Sequence, residues 1–449
     1  MRVRTLKGQL VRYWERIRYS FWFLPSTMAV AAVALSFWTV ALDRTLSDGS
    51  LKGLRWAYSG GAEGASAVLQ TIAGSMITIA GVVFSLTLVA LSLASSQFGP
   101  RLLRSFMRDT ANQLVLGTFV ATFLYCLLVL RTIRRADETA FVPHLSVTIG
   151  ALLAIASLGV LIYFVHHVSV SIQADEIIAR VGAELVDGIE RLFPEQIGEG
   201  LPSAQVLPAA GRLPEDFGRK ASTVPAAEDG YLQFIDAEAL MALAIREDAV
   251  IRVERRPGQY LILGDPLVSV RTGNVVDTKF SDAVNAAFVV GTQRTTFQDV
   301  EFPIDELVEI AARALSPGVN DPFTAMACVD RLGSALCRLA RRDLPGPCRF
   351  DEQHKLRVFA PAVTFSGLLN RSFDQIRQNA RTNAAVSVRL LETLLSIARA
   401  ADRPEDKASV RRQAEMVARG AEDLPEEEDR RALRERHQAM EPALRAHAG

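Results

Sequence analysis

The stretch AVLQTIAGSMITIAGVVFSLTLVALSLASSQF, Ala67–Phe98, holds no Asp, Glu, Lys or Arg. Its about 32 residues make roughly 48 Å of helix at about 1.5 Å per residue, while a hydrocarbon core of about 30 Å needs only about 20 apolar residues. A helix in a water-soluble domain carries polar residues at helical spacing, so this one is expected to cross a bilayer, tilted or projecting beyond it. Gly99-Pro100 then ends it. Three more uncharged apolar stretches lie in the same region, Phe21–Leu42, Gln113–Leu130 and Leu145–Gln173. Together they predict an α-helical membrane domain with four transmembrane helices, followed by an α+β cytoplasmic domain.

Within Ala67–Phe98 the polar residues are ordered. Thr71, Ser75, Thr78, Ser85, Ser92 and Ser96 follow i, i+3/i+4, i+7 spacing, with Val82 and Val89 completing the ladder and Gly74 and Gly81 beside it. Two readings are open. Small and hydroxyl residues favour close helix packing, and a continuous hydroxyl face is also how a pore is lined in an oligomer. The four stretches lack the ionisable residues that ion-coupled carriers place at membrane depth. His166 and His167, adjacent on their helix, point about 100° apart and read as interfacial residues rather than a metal pair.

Orientation follows the basic residues of the short loops. Arg2, Arg4, Lys7, Arg12, Arg16 and Arg18 precede the first stretch, and Arg101, Arg104 and Arg108 follow the second. The loop after the first stretch mixes Asp43, Arg44, Asp48, Lys52, Arg55 and Glu63. Both termini are therefore expected in the cytoplasm. The long first stretch, with Trp22, Phe23 and Trp38, reads as an uncleaved anchor rather than a signal peptide.

Net charge is +0 with 50 basic and 50 acidic residues, which removes a broad electrostatic case for nucleic-acid binding. The four cysteines, Cys126, Cys328, Cys337 and Cys348, show no CxxC spacing and read as reduced, packed thiols. No GxSxG, HExxH or Walker loop occurs, so the sequence supports no enzyme reading, metal site or cofactor.

The organisation read from the chain is residues 1–175 as the four-span domain, 176–229 as a helical extension and loop-rich linker, 230–401 as the α+β domain and 402–449 as a charged, solvated helical tail. Ala249–Glu254 and Tyr260–Leu263 read as strands joined by the turn Arg255-Arg256-Pro257-Gly258, and Ser281–Val290 reads as helix. Two polar motifs stand out, GTQRTTFQD at Gly291–Asp299 and ALSPGVNDPFTA at Ala314–Ala325. The second suits a helix stop at Ser316-Pro317-Gly318, with Asn320 or Asp321 capping a new helix that has Pro322 in its first turn. The alternative is that Arg294, Thr295, Gln298, Asp299, Asn320 and Asp321 converge on one polar network or ligand site, Arg294 pairing with Asp299 or Asp321.

These motifs, with Gln97-Phe98-Gly99-Pro100-Arg101 and the GYLQ strand at Gly230–Gln233, resemble the DUF2254 family of predicted bacterial membrane proteins. The resemblance covers nearly the whole chain and implies its order of parts, without implying an activity or any catalytic residue. The leading expectation is an oligomeric, channel-like protein in the lipid bilayer, permeant to a small ion or ligand. The second is a non-conducting sensor or scaffold.

Overall fold

A computed structural model describes residues 22–46, 60–98, 110–134, 141–171, 173–193, 213 and 217–445. The N-terminal basic segment, Gly99–Arg101 with the following basic loop, and most of the linker lie outside the described residues. The chain divides into two compact units, Met1–Glu176 and Ile177–Gly449.

The first unit is built of α1 (Phe23–Leu46), α2 (Ala62–Phe98), α3 (Thr110–Leu130) and α4 (His144–Ser171). All four are long and apolar enough to cross a membrane. Helix α3 packs against the other three and is the most buried of the set. Tyr125 and Phe119 of α3 are fully buried, and Gly117 admits Pro25 and Met28 of α1. The Tyr125 hydroxyl donates to the Ser146 carbonyl at 3.1 Å and lies 3.0 Å from the Thr39 hydroxyl, so its polar end is satisfied away from water.

Helix α1 runs past Leu42, which takes Asp43 out of the loop where the sequence placed it. Asp43 is buried and accepts the Leu145 and Ser146 amides, both at 2.9 Å, and the Ser146 hydroxyl at 2.6 Å. A carboxylate so placed caps α4 and favours its dipole. Asp43→Ala is expected to cost about 1–3 kcal/mol, with Asp43→Asn retaining part of it, measured by denaturant unfolding in detergent.

Helix α5 spans Ala174–Leu192, enters the second unit at Ile177, and buries Ile177, Ile178, Val181, Leu185 and Ile189. A short α6 (Phe217–Lys220) leads to β1 (Ser222–Pro225), β2 (Gly230–Ile235), α7 (Ala237–Arg246), β3 (Val250–Val253), β4 (Tyr260–Leu261), β5 (Pro266–Arg271), α8 (Thr278–Ala286) and β6 (Phe288–Gly291). Then come α9 (Glu301–Ala314), α10 (Pro322–Ala340), β7 (Cys348–Phe350) and β8 (Leu356–Phe359). The chain closes with α11 (Phe365–Asn379), α12 (Ala384–Ala400), α13 (Pro404–Ala421), α14 (Glu427–Ala439) and α15 (Glu441–Arg445). One sheet has the order β1-β5-β3-β8-β7 and the other β4-β2-β6. Among the described strands, β3 and β8 pair in parallel and the other pairs are antiparallel. Leu232, Leu240, Ile251, Leu261, Val268 and Val284 meet in one core shared by both sheets, α7 and α8.

Three expectations are corrected. The Arg255–Gly258 turn does not join a hairpin, because β3 and β4 lie in different sheets. There Gly258 N–H donates to the Leu232 carbonyl at 2.7 Å and Leu232 N–H to the Gln259 carbonyl at 2.9 Å, drawing the chain over to β2. The helix expected over Ser281–Val290 ends at Ala286, and Phe288–Gly291 pairs with β2. From Asp402 the chain is a packed layer rather than a solvated tail, since Val410, Ala414, Leu433 and Met440 are fully buried.

Helix α5 and the residue after it are joined to α10 and the residues that follow it at three points. Gly182 lies against Arg331, Arg338 bonds Glu190 at 3.0 Å across 148 residues, and Arg342 donates to the Phe193 carbonyl at 2.6 Å across 149.

Candidate functional site

The hydroxyl ladder of α2 faces outward. Ala65, Leu69, Ala73, Met76, Ala80, Val83, Thr87 and Ala90 form the face buried against the bundle. At about 100° per residue, Thr71, Thr78, Ser85, Ser92 and Ser96 fall on the opposite side and are exposed, as is Ser75. A Cβ added to Gly74 or Gly81 would meet nothing within 4 Å. The ladder is therefore no packing seam within one chain. The Thr71 and Thr78 hydroxyls each donate at 2.8 Å to a carbonyl one turn back, and Ser96 does so at 2.9 Å to Leu93.

The two polar motifs of the second unit do different work. In the first, Arg294 is buried between two acids. Its Nε lies 2.8 Å and its NH2 2.7 Å from Asp299 Oδ2, and NH1 lies 2.5 Å from Asp305 Oδ2. Arg371 grips both Asp305 oxygens, at 2.6 and 2.7 Å, and reaches Glu301 at 3.2 Å. Glu301 also pairs with Arg256 at 3.1 Å. Three arginines and three acids thus alternate from the 255–258 turn, through the RTTFQD loop and α9, to α11. The Arg294 guanidinium also lies 5.2 Å from the centre of the Phe302 ring.

Burial pushes the Asp299 carboxyl up, and the charge and hydrogen bonds of Arg294 offset that only in part. At Asp305 burial acts the same way, but hydrogen bonds from Arg371 and Arg294 outweigh it and hold the carboxyl below its ordinary range. Gln298 is used differently. Its Oε1 accepts the Ile235 amide at 2.9 Å and its Nε2 donates to the Ile235 carbonyl at 3.2 Å, so the side chain stands in for a strand neighbour of β2. Thr295 is half-buried beside Arg294 in the chain. Arg191 of α5 donates to the Thr296 carbonyl at 2.8 Å and lies over the Phe297 ring, pinning α5 to this loop.

In the second motif, Asp321 caps α10. Its carboxylate accepts the Phe323 and Thr324 amides at 3.1 Å and the Thr324 hydroxyl at 2.6 Å. Asn320 has φ 50 and is exposed at the corner. The Val319 and Asn320 amides both donate to the Ser316 carbonyl, and Asp321 N–H to the Ala314 carbonyl. Asn320 and Asp321 thus build a turn, and the pairing of Arg294 is with Asp299 and Asp305. The partners missed from sequence, Arg256, Glu301, Asp305 and Arg371, carried one legible sign: Glu301 and Asp305 share the first turns of the helix that follows Asp299.

Residues 18–396 match the family model described as "Predicted membrane protein (DUF2254)". The chain belongs to the DUF2254 family. An uncharacterised protein of Mycobacterium bovis and one of Mycobacterium tuberculosis are each 34% identical to this DUF2254 protein over 373 residues, covering 82% of this chain and 70% of theirs. No solved structure matches it.

Proposed function

We propose that this DUF2254 protein is an oligomeric, channel-like protein of the bacterial inner membrane, with both termini cytoplasmic and no catalytic role. In this reading copies of the chain meet around α2, whose hydroxyl face lines a path for a small ion or solute, and the C-terminal unit organises or gates it. What supports the reading is the outward, unpacked hydroxyl face on a membrane helix whose opposite face is fully used inside the chain. A transmembrane helix that only meets lipid gains nothing from six hydroxyl side chains on one side.

The test is ion flux through purified protein in liposomes, with oligomer mass measured on the same sample. Ser85→Leu with Ser92→Leu is expected to abolish flux and leave the oligomer mass unchanged. Gly74→Leu with Gly81→Leu meets nothing within its own chain, so it is expected to leave the fold intact while changing the assembly. The second reading, a non-conducting sensor or scaffold, draws on Thr71, Thr78 and Ser96 giving their protons to their own helix. Absence of flux from wild-type protein under varied voltage, pH and tension would favour it.

A further inference from the structure

Asn112 of α3 is buried with nothing to bond. It is 2% exposed, and among the described residues neither its Oδ1 nor its Nδ2 has a hydrogen-bond partner. Both atoms have given up water without return, which penalises the conformation that holds them there.

Helical spacing places Asn112 on the same face of α3 as Val115, Leu116 and Phe119, all buried. Those three pack in one cluster with Met76, Ala80 and Val83 of α2 and Phe164 of α4. A Cβ on Gly150 would meet Leu69 of α2 together with Tyr125 and Cys126 of α3, so Leu69 lies toward the other end of α3. Helices α2 and α3 are therefore antiparallel, and Asn112 and Thr87, each one turn beyond the cluster, stand at the same end. From Ala80 onward the inward residues of α2 are Ala80, Val83, Thr87 and Ala90, none larger than valine. Small side chains lose little buried apolar area when such a contact opens. Asn112 is also the third residue of a 21-residue span, so interfacial water is a short step away.

We infer that the Ala80–Ala90 stretch of α2 alternates between packing on α3 and standing off it, water reaching the Asn112 amide in the second state. The stranded amide raises the packed state and the small side chains lower the cost of leaving it, which makes the contact bistable. In its bearing on flux the inference rests on the reading proposed above: Ser85 is exposed on the opposite side of this same stretch, so the motion shifts the hydroxyl face and sets the width of the path.

Two cysteine replacements test it in the full chain in nanodiscs, which leave both membrane faces open to reagent. Val83 is 2% exposed in the cluster next to Asn112, and Ala73, 6% exposed on the same helix, lies in the cluster around Tyr125. A charged methanethiosulfonate reagent is added, and modification is read peptide by peptide by mass spectrometry, so the native thiols do not interfere. Val83→Cys is expected to react at least about tenfold faster than Ala73→Cys, and adding Asn112→Leu to slow it about tenfold without lowering the melting temperature. Equal protection of the two introduced thiols would overturn the inference, as would a Val83→Cys rate indifferent to Asn112→Leu. A lower melting temperature in Asn112→Leu would overturn it too, because the amide would then be bonded in the packed state. The readout is independent of flux. A reactive Val83→Cys thiol in protein that passes no ions supports the motion and removes the path; flux sensitive to Ser85 and Ser92 with a protected thiol keeps the path and overturns the motion.

Discussion

Arg294→Met lowers the stability of the C-terminal unit by about 3–5 kcal/mol, the usual cost of stranding one partner of a buried ion pair. Methionine keeps the apolar stem, so the loss isolates the guanidinium. Asp299, whose side chain is 2% exposed, keeps the Glu301 amide at 3.1 Å but loses its counter-charge, while Asp305 retains Arg371. Arg294→Met with Asp299→Asn is expected to recover part of the loss, because no buried charge is then left alone. Thermal or denaturant unfolding of the full chain in detergent measures both. A cost below about 1 kcal/mol, the range of exposed pairs, would mean that water reaches the network and that Arg294 and Asp299 are not a buried pair. The pH dependence has a definite sign. Asp305 is depressed in the fold, so its contribution is complete above the unfolded carboxylate value of about 4 and is lost as pH falls through the lower folded value. Asp299 is raised and works the opposite way, so the acid-side slope steepens when Asp299 is replaced by Asn.

Gly258→Val reaches the same network through the backbone. Gly258 has φ 90, and any Cβ placed there would land on the Asp299 carboxylate. The left-handed conformation costs a β-branched residue about 1–3 kcal/mol, and the clash adds about 1–3 kcal/mol of overpacking. Relief requires Asp299 to move off Arg294 or the turn to leave β2. The expected result is loss of the cooperative unfolding transition of the C-terminal unit at growth temperature, with exchange protection of β2 and β4 falling together. Gly258→Ala is expected to show the same pattern at smaller amplitude. Normal protection in Gly258→Val would show that the turn tolerates another path.

The spans were legible because bilayer thickness fixes a length and hydrocarbon fixes a composition, and α1 to α4 meet both. Their ends were less so: Asp43 looked like a loop charge because its partners, Leu145 and Ser146, come more than 100 residues later. The start of α10 was readable to within one residue, Asn320 or Asp321 as the cap, since Asp321-Pro322 is a local capping signal whose geometry involves only the next three positions. Strand pairing was not. Tyr260 looks like the partner of Val253 across a short turn, yet the pairing is decided by which sheet has a free edge, and β2 had one. Phe288–Val290 continued an apolar helix pattern and turned out to be strand because Ala287 ends α8 and β2 needs a neighbour. In the polar network Arg294 and Asp299 were visible as a pair in sequence, whereas Arg371 lies 66 residues beyond the Asp305 it grips.

Helix α5 sets where this protein can be cut. It follows α4 after two residues, and its apolar side, Ile178 through Ile189, lies in the interior of the C-terminal unit. A soluble fragment started at Gly230, where the sequence first turns strand-like, would leave α10 uncovered and the RTTFQD loop without Arg191. One started at Ala174 keeps both. The last membrane helix and the first helix of the C-terminal unit are near neighbours in one strand of chain, so deletion mapping and fragment expression have almost no neutral boundary between them.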